Sequence, residues 1–101
     1  MKSQVKHIGF FKFKAGTTQA EIDEVGRILE SLMRDIPGIL DLTYGANMSP
    51  EGLDQGYTFS FVMVFESVAA RDAYLPHPIH QAAVVRVIPK LESVVVCDHT
   101  F

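Results

Sequence analysis

One segment restricts the folds open to this chain more than any other. Val5 to Lys14 (VKHIGFFKFK) reads as a strand, rich in Val, Ile and Phe, and it runs into the turn signal Ala15-Gly16. Along a strand, alternate side chains project to opposite faces. Val5, His7, Gly9, Phe11 and Phe13 form one set; Lys6, Ile8, Phe10, Lys12 and Lys14 form the other. The first set is mainly apolar, yet the second also carries Ile8 and Phe10 in mid-strand. A strand apolar on both sides has to be covered on both sides.

The rest of the chain supplies one helix layer. Thr18-Gln19-Ala20-Glu21 has the capping-box pattern, a hydroxyl followed three residues later by Glu. Ile22, Val25, Ile28, Leu29, Leu32, Met33 and Ile36 then recur at helical spacing, and Pro37-Gly38 ends the helix. Ile39 to Met48 reads as a second strand, with Gly45 as its candidate bulge. Ser49 to Gly56 is a polar loop. Tyr57 to Glu66 is the clearest strand: Tyr57, Phe59, Phe61, Met63 and Phe65 make a large apolar face, and Thr58, Ser60, Val62 and Val64 a half-apolar one. Ser67 caps a short helix, Val68 to Leu75. Pro76 and Pro78 bracket His77, and Pro78 suits the first turn of a further helix. The stripe of that helix is Ile79, Ala83, Val84, Val87, Ile88 and Leu91. Val94 to His99 closes the chain as a strand.

The order is βαββαβ, an α+β pattern of ferredoxin-like type in a single domain, 1–101. At 101 residues the chain is one domain's worth, and folding buries roughly 65% of the surface the unfolded chain exposes. Helices on one face of a four-stranded antiparallel sheet leave the other open. That face would carry Ile8, Phe10, Val62, Val64, Val95 and Cys97, a patch that monomers seldom leave in water. A two-fold copy stacking the same face against it is the simplest cover, so a homodimer is expected.

Composition excludes several classes. A net charge of -3 argues against a nucleic-acid surface. No run approaches the ~20 apolar residues of a membrane helix, and the polar start has no signal-peptide core behind it. The single Cys97 cannot form an internal disulfide. A soluble, cytoplasmic protein is expected. No metal site is expected either, because no pair of the four histidines has i, i+4 spacing and the i, i+3 pair His77 and His80 spans a turn. No cofactor is expected.

Several segments together resemble the stress-responsive A/B barrel domain (Dabb) family. They are Val5-Lys6-His7-Ile8 with Phe11-Lys12-Phe13-Lys14, the Ile36-Pro37-Gly38 helix end, Asn47 to Gly52, Gly56-Tyr57-Thr58, Phe65-Glu66-Ser67, and Tyr74-Leu75-Pro76-His77-Pro78-Ile79-His80. The resemblance spans nearly the whole chain. It implies a dimeric α+β barrel, two ferredoxin-like sheets facing each other with the helices outside. The family includes plant stress proteins and small-molecule enzymes, among them cyclases that close poly-β-ketones. By motif position, the catalytic Tyr and His of those cyclases fall on Tyr74 and His80, and a further first-strand His falls on His7. Where the cyclases carry a His after Gly-Tyr-Thr, this chain has Phe59.

The residues themselves point the same way. A histidine is the natural general base near neutrality, and a tyrosine hydroxyl can orient it or polarise a substrate oxygen. His7 projects toward the helix layer, with Gly9 beside it leaving space. Phe11, Phe59, Phe61, Met63, Val94 and Val96 are candidate walls of an apolar pocket with His7, Tyr74 and His80 at its polar end. His7, Gly9, Phe11, Phe59 and Phe61 are thus expected to bind a small molecule, and His80 and Tyr74 to carry any catalysis. Each has a plainer role open to it as well: His7 in the core, Tyr74 in packing, His80 on the surface.

Overall fold

The computed structural model describes residues 3–101. Its elements run β1 (Val5–Phe13), α1 (Gln19–Asp35), β2 (Ile39–Ala46), β3 (Phe59–Phe65), α2 (Val68–Tyr74), α3 (Pro78–Val87), a single 3-10 turn at Ile88–Lys90, and β4 (Leu91–Thr100). The strands form one antiparallel sheet in the order β2-β3-β1-β4. This is the ferredoxin-like α+β architecture expected from the pattern.

Local chemistry accounts for the helix starts. The Thr18 hydroxyl accepts from the Glu21 amide, and the Glu21 carboxylate accepts from the Thr18 amide. The Ser67 hydroxyl accepts from the Ala70 amide at the start of α2. Pro78 occupies the first turn of α3, and the His77 ring accepts from the Ile79 amide. Each bond satisfies one of the amides that a helix start leaves unpaired.

Register fixes which residues share a face. On the helix side, successive cross-strand rows are Ile39–Phe65–Val5, Leu42–Met63–His7–Asp98, Tyr44–Phe61–Gly9–Val96 and Ala46–Phe59–Phe11–Val94. These rows meet Val25, Ile28, Leu29, Leu32 and Ile36 of α1 and Ala83 and Val87 of α3 to form the core. Burying such side chains contributes roughly 1.5–3 kcal/mol each for the larger ones. On the opposite face, Val62, Ile8 and Cys97 make one row and Ser60, Phe10 and Val95 the next. Phe10 and Val95 are 39% and 40% exposed there, so the apolar second face of β1 lies open in the single chain.

Three local readings are corrected. The irregularity in β2 lies between Ile39 and Asp41, not at Gly45, which pairs regularly with Ser60. The extra residue is the half-exposed Leu40. It shifts the parity so that both Ile39 and Leu42 face the helices. Leu91 belongs to β4 instead of the α3 stripe: Pro89 in the 3-10 turn ends the helix first, and a second register shift beside Phe13 aims Leu91 into the core. Tyr57 precedes β3, and its hydroxyl shares a 2.8 Å hydrogen bond with Ser93, the partner of Lys12 on the open face. It therefore does not continue the phenylalanine face.

Candidate functional site

His7 sits mid-strand on β1, directly opposite Asp98 of β4. Its Nδ1 donates to Asp98 Oδ1 at 2.7 Å, since a carboxylate can only accept. The other oxygen, Oδ2, accepts from Arg71 Nη1 of α2 at 2.6 Å. The His7 side chain is 7% exposed and that of Asp98 is 19% exposed. Asp98, an exposed residue of the outer strand, thus has a largely covered side chain. The outer edge of β4 exposes backbone, while the carboxylate turns inward. The His7 ring lies 5.5 Å from Phe61, 5.9 Å from Phe65 and 5.9 Å from Tyr74 between centroids.

Tyr74 ends α2 and is buried, its ring 5.0 Å from Phe65 and 4.2 Å from His80. Burial pushes its phenol well above the ordinary range, so at any physiological pH it carries its proton and can donate. No polar side-chain atom is sealed away without a partner among the described residues.

The turn between α2 and α3 positions His80. Pro78 starts α3 immediately after His77, which brings the first turn of α3 back over the end of α2. His80 Nδ1 donates to the Leu75 carbonyl at 2.9 Å, and Gln81 Nε2 donates to the same oxygen at 2.7 Å. The proton of a neutral ring is therefore on Nδ1, and Nε2 keeps its lone pair.

A cavity of about 370 Å³ lies between the sheet and the helices. His7, Tyr74 and His80 line it together with Phe11, Phe61, Val94 and Val96 and with aliphatic side chains of α1 and α3, including Leu29, Leu32 and Val87. Val94 and Val96 face the helix layer yet remain 39% and 49% exposed, which places the mouth of the cavity along β4. Its size suits a small organic molecule.

Three of the expected pocket residues do something else. The space above Gly9 is not empty: an added Cβ would lie 2.0 Å from Phe61 Cε2. Phe61, its cross-strand neighbour, leans over the glycine. Phe59 stacks on Phe11 and on Tyr44, toward β2 and α1, and is not among the cavity residues. Phe59 therefore belongs to the core beside the cavity and not to its wall. Met63 is fully buried and likewise absent from the lining. Asp98 and Arg71 escaped sequence reasoning. The one available signal for Asp98 was strand pairing, which depends on a register that the sequence does not state. Among the described residues no cluster of three His, Cys, Asp or Glu forms that could hold a metal ion, and no helix is long and apolar enough to cross a membrane.

A family profile described as "Stress responsive A/B Barrel Domain" matches residues 5–101. The stress-response A/B barrel domain-containing protein HS1 of Arabidopsis thaliana is 33% identical over 98 residues, covering 97% of this chain and 90% of the relative. Olivetolic acid cyclase of Cannabis sativa is 33% identical over 76 residues, 75% of each chain. Among solved structures, a dimeric ferredoxin-like protein of unknown function from Jannaschia sp. superposes with a TM-score of 0.83 at 26% identity, covering 95% of this chain and 97% of that one.

Proposed function

The chain belongs to the stress responsive A/B barrel domain family, and we propose that within it this protein is a homodimer whose cavity takes up a small, apolar, carbonyl-containing molecule. One observation carries this reading: His7, Tyr74 and His80 gather on a single apolar cavity of about 370 Å³. A ligand oxygen would accept from the neutral Tyr74 hydroxyl while its hydrocarbon part meets Phe11, Phe61 and the aliphatic side chains of α1 and α3. The open face centred on Ile8 and Phe10 supports the dimer, as does the description of the Jannaschia relative as dimeric. The unpaired Cys97 suits a reducing compartment, and we place the protein in the cytoplasm.

A second reading, a cyclase-like or lyase-like enzyme, is favoured by the orientation of His80. With Nδ1 tied to the Leu75 carbonyl, Nε2 is free to act as general base. In such a step Nε2 takes a proton from the carbon beside the ligand carbonyl. The C–H bond breaks, an N–H bond forms, and the electron pair moves onto the carbonyl oxygen as an enolate held by the Tyr74 hydroxyl. The relative named for olivetolic acid cyclase supports this chemistry as an alternative.

Both readings are tested with an alkyl β-diketone. Binding should saturate in a calorimetric titration of the wild-type protein. If the protein is also an enzyme, deuterium exchange at the carbon between the carbonyls should run above the buffer rate, and His80→Ala should return it to that rate with the fold intact. Absence of binding to this ligand and its monoketone analogues would overturn the primary reading; binding without accelerated exchange would overturn the second.

A further inference from the structure

We propose that Arg71 is a positioning residue for the cavity, holding Asp98 so that His7 keeps its proton on Nδ1 and offers Nε2 as an acceptor; this deepens the ligand-binding reading and rests on it for its significance. Arg71 reaches from α2 across to β4, and its Nη1 meets Asp98 Oδ2 at 2.6 Å. Its Nε is held in turn by Asp72 Oδ1 at 2.9 Å. The Arg71 and Asp98 side chains are 24% and 19% exposed, so this pair is less screened than one on an open surface.

The pair continues two rows that line the cavity. Asp98 follows Val94 and Val96 on the helix side of β4, and Arg71 lies one helical turn before Tyr74 and Leu75. The ion pair thus joins α2 to β4 at one end of the cavity.

The consequence for His7 follows from hydrogen-bond accounting. Each ring nitrogen of a neutral imidazole is either a donor or an acceptor, and a fixed partner on one decides the other. Asp98 bonded through Oδ2 to a guanidinium presents Oδ1 to His7 Nδ1 in one orientation. Without Arg71 the carboxylate is free to rotate toward water at the mouth of the cleft, and Nδ1 loses its fixed acceptor. The ring then samples both tautomers, and the acceptor at Nε2 is present only part of the time. Tyr74 and His80 do not replace this restraint: the ring of Tyr74 contacts His7 edge-on, and His80 Nδ1 is committed to Leu75.

Imidazole nitrogen NMR on the full chain, labelled at histidine, reads the tautomer of His7 with no ligand present. Wild type should show the Nδ1–H form alone. Arg71→Gln should show both forms, with the Nδ1–H signature reduced to a fraction. Arg71→Lys, which keeps the charge, should stay near wild type. A strap with a purely structural role would lower the melting temperature of Arg71→Gln and leave the tautomer unchanged, and that result overturns the proposal. Should the glutamine variant not fold, Arg71→Met is read in the same way. Failure of the wild type to bind a β-diketone would sink the ligand reading while leaving the tautomer result standing, so the two failures are distinguishable.

Discussion

Replacing Gly9 by alanine should move a phenylalanine into the cavity. The added Cβ would lie 2.0 Å from Phe61 Cε2, 2.5 Å from Cζ and 2.9 Å from Cδ2. Carbon atoms rest at about 3.5–4.0 Å, so the ring edge must retreat by roughly 1.5 Å. The backbone of β1 cannot give way without breaking its pairing with both β3 and β4. The ring must therefore swing away from the strand, toward His7 and Phe11, whose ring centroids lie 5.5 and 5.6 Å away. Overpacking of this kind costs ~1–3 kcal/mol. For a domain of this size that lowers Tm by about 4–8 °C per kcal/mol. The assay is a double-mutant cycle in thermal or urea unfolding with Phe61→Leu as the second change. In the Phe61→Leu background most of the cost of Gly9→Ala should vanish, a coupling of about 1 kcal/mol or more. Affinity for the β-diketone should fall in Gly9→Ala alone. An equal cost in both backgrounds would refute the reasoning, because it would locate the strain somewhere other than Phe61.

Ile8→Asp should dissociate the proposed dimer into chains of 11.2 kDa at micromolar concentration, read by analytical sedimentation, because a charge in the apolar face that the proposed partner covers would lose its water without gaining a partner. Wild type sedimenting as a monomer would contradict the two-fold cover. Tyr74→Phe should leave the fold nearly as stable near neutrality and weaken ligand binding by several-fold, the worth of about one hydrogen bond. The same variant carries a pH signature. Burial raises the folded-state value of Tyr74 above its ordinary 10. Above pH 10 the unfolded chain releases the phenol proton while the folded chain keeps it, so stability from this group is full below pH 10 and declines as pH rises further. A phenolate absorbance titration should show one of the three tyrosines ionising only with alkaline unfolding, and that phase should be absent in Tyr74→Phe.

Much of the architecture was legible because local and global signals agree. The Thr18–Glu21 capping box, the Ser67 cap and Pro78 each mark a helix start that the structure places within a residue. The phenylalanine parity of β3 and the doubly apolar β1 follow from a period of two. What escaped depends on distance in sequence. Bulges at Leu40 and near Leu91 change parity by one residue, and nothing about these side chains announces it. The gathering of His7, Tyr74 and His80 on one helix-side cavity was expected from face parity on β1, the proline-locked turn before His80 and the family resemblance, which alone singled out Tyr74. The partners that hold His7 were hidden, since Asp98 is 91 residues away and Arg71 sits on a separate helix. Gly9 illustrates a different limit. A missing side chain creates volume, and only packing shows that Phe61 takes it.

The most direct test of the cavity as a binding site is a map of backbone and methyl chemical-shift changes on titration of the full chain with the alkyl β-diketone. The largest changes should fall on Tyr74, His80, Val94 and Val96 and on the α1 and α3 residues that line the cavity, including Leu32 and Val87. They should be lost in Gly9→Ala and reduced in Tyr74→Phe. Changes centred instead on Phe10, Ser60 and Val95 of the open face, or none at saturating ligand, would contradict the assignment of this cavity as the functional site.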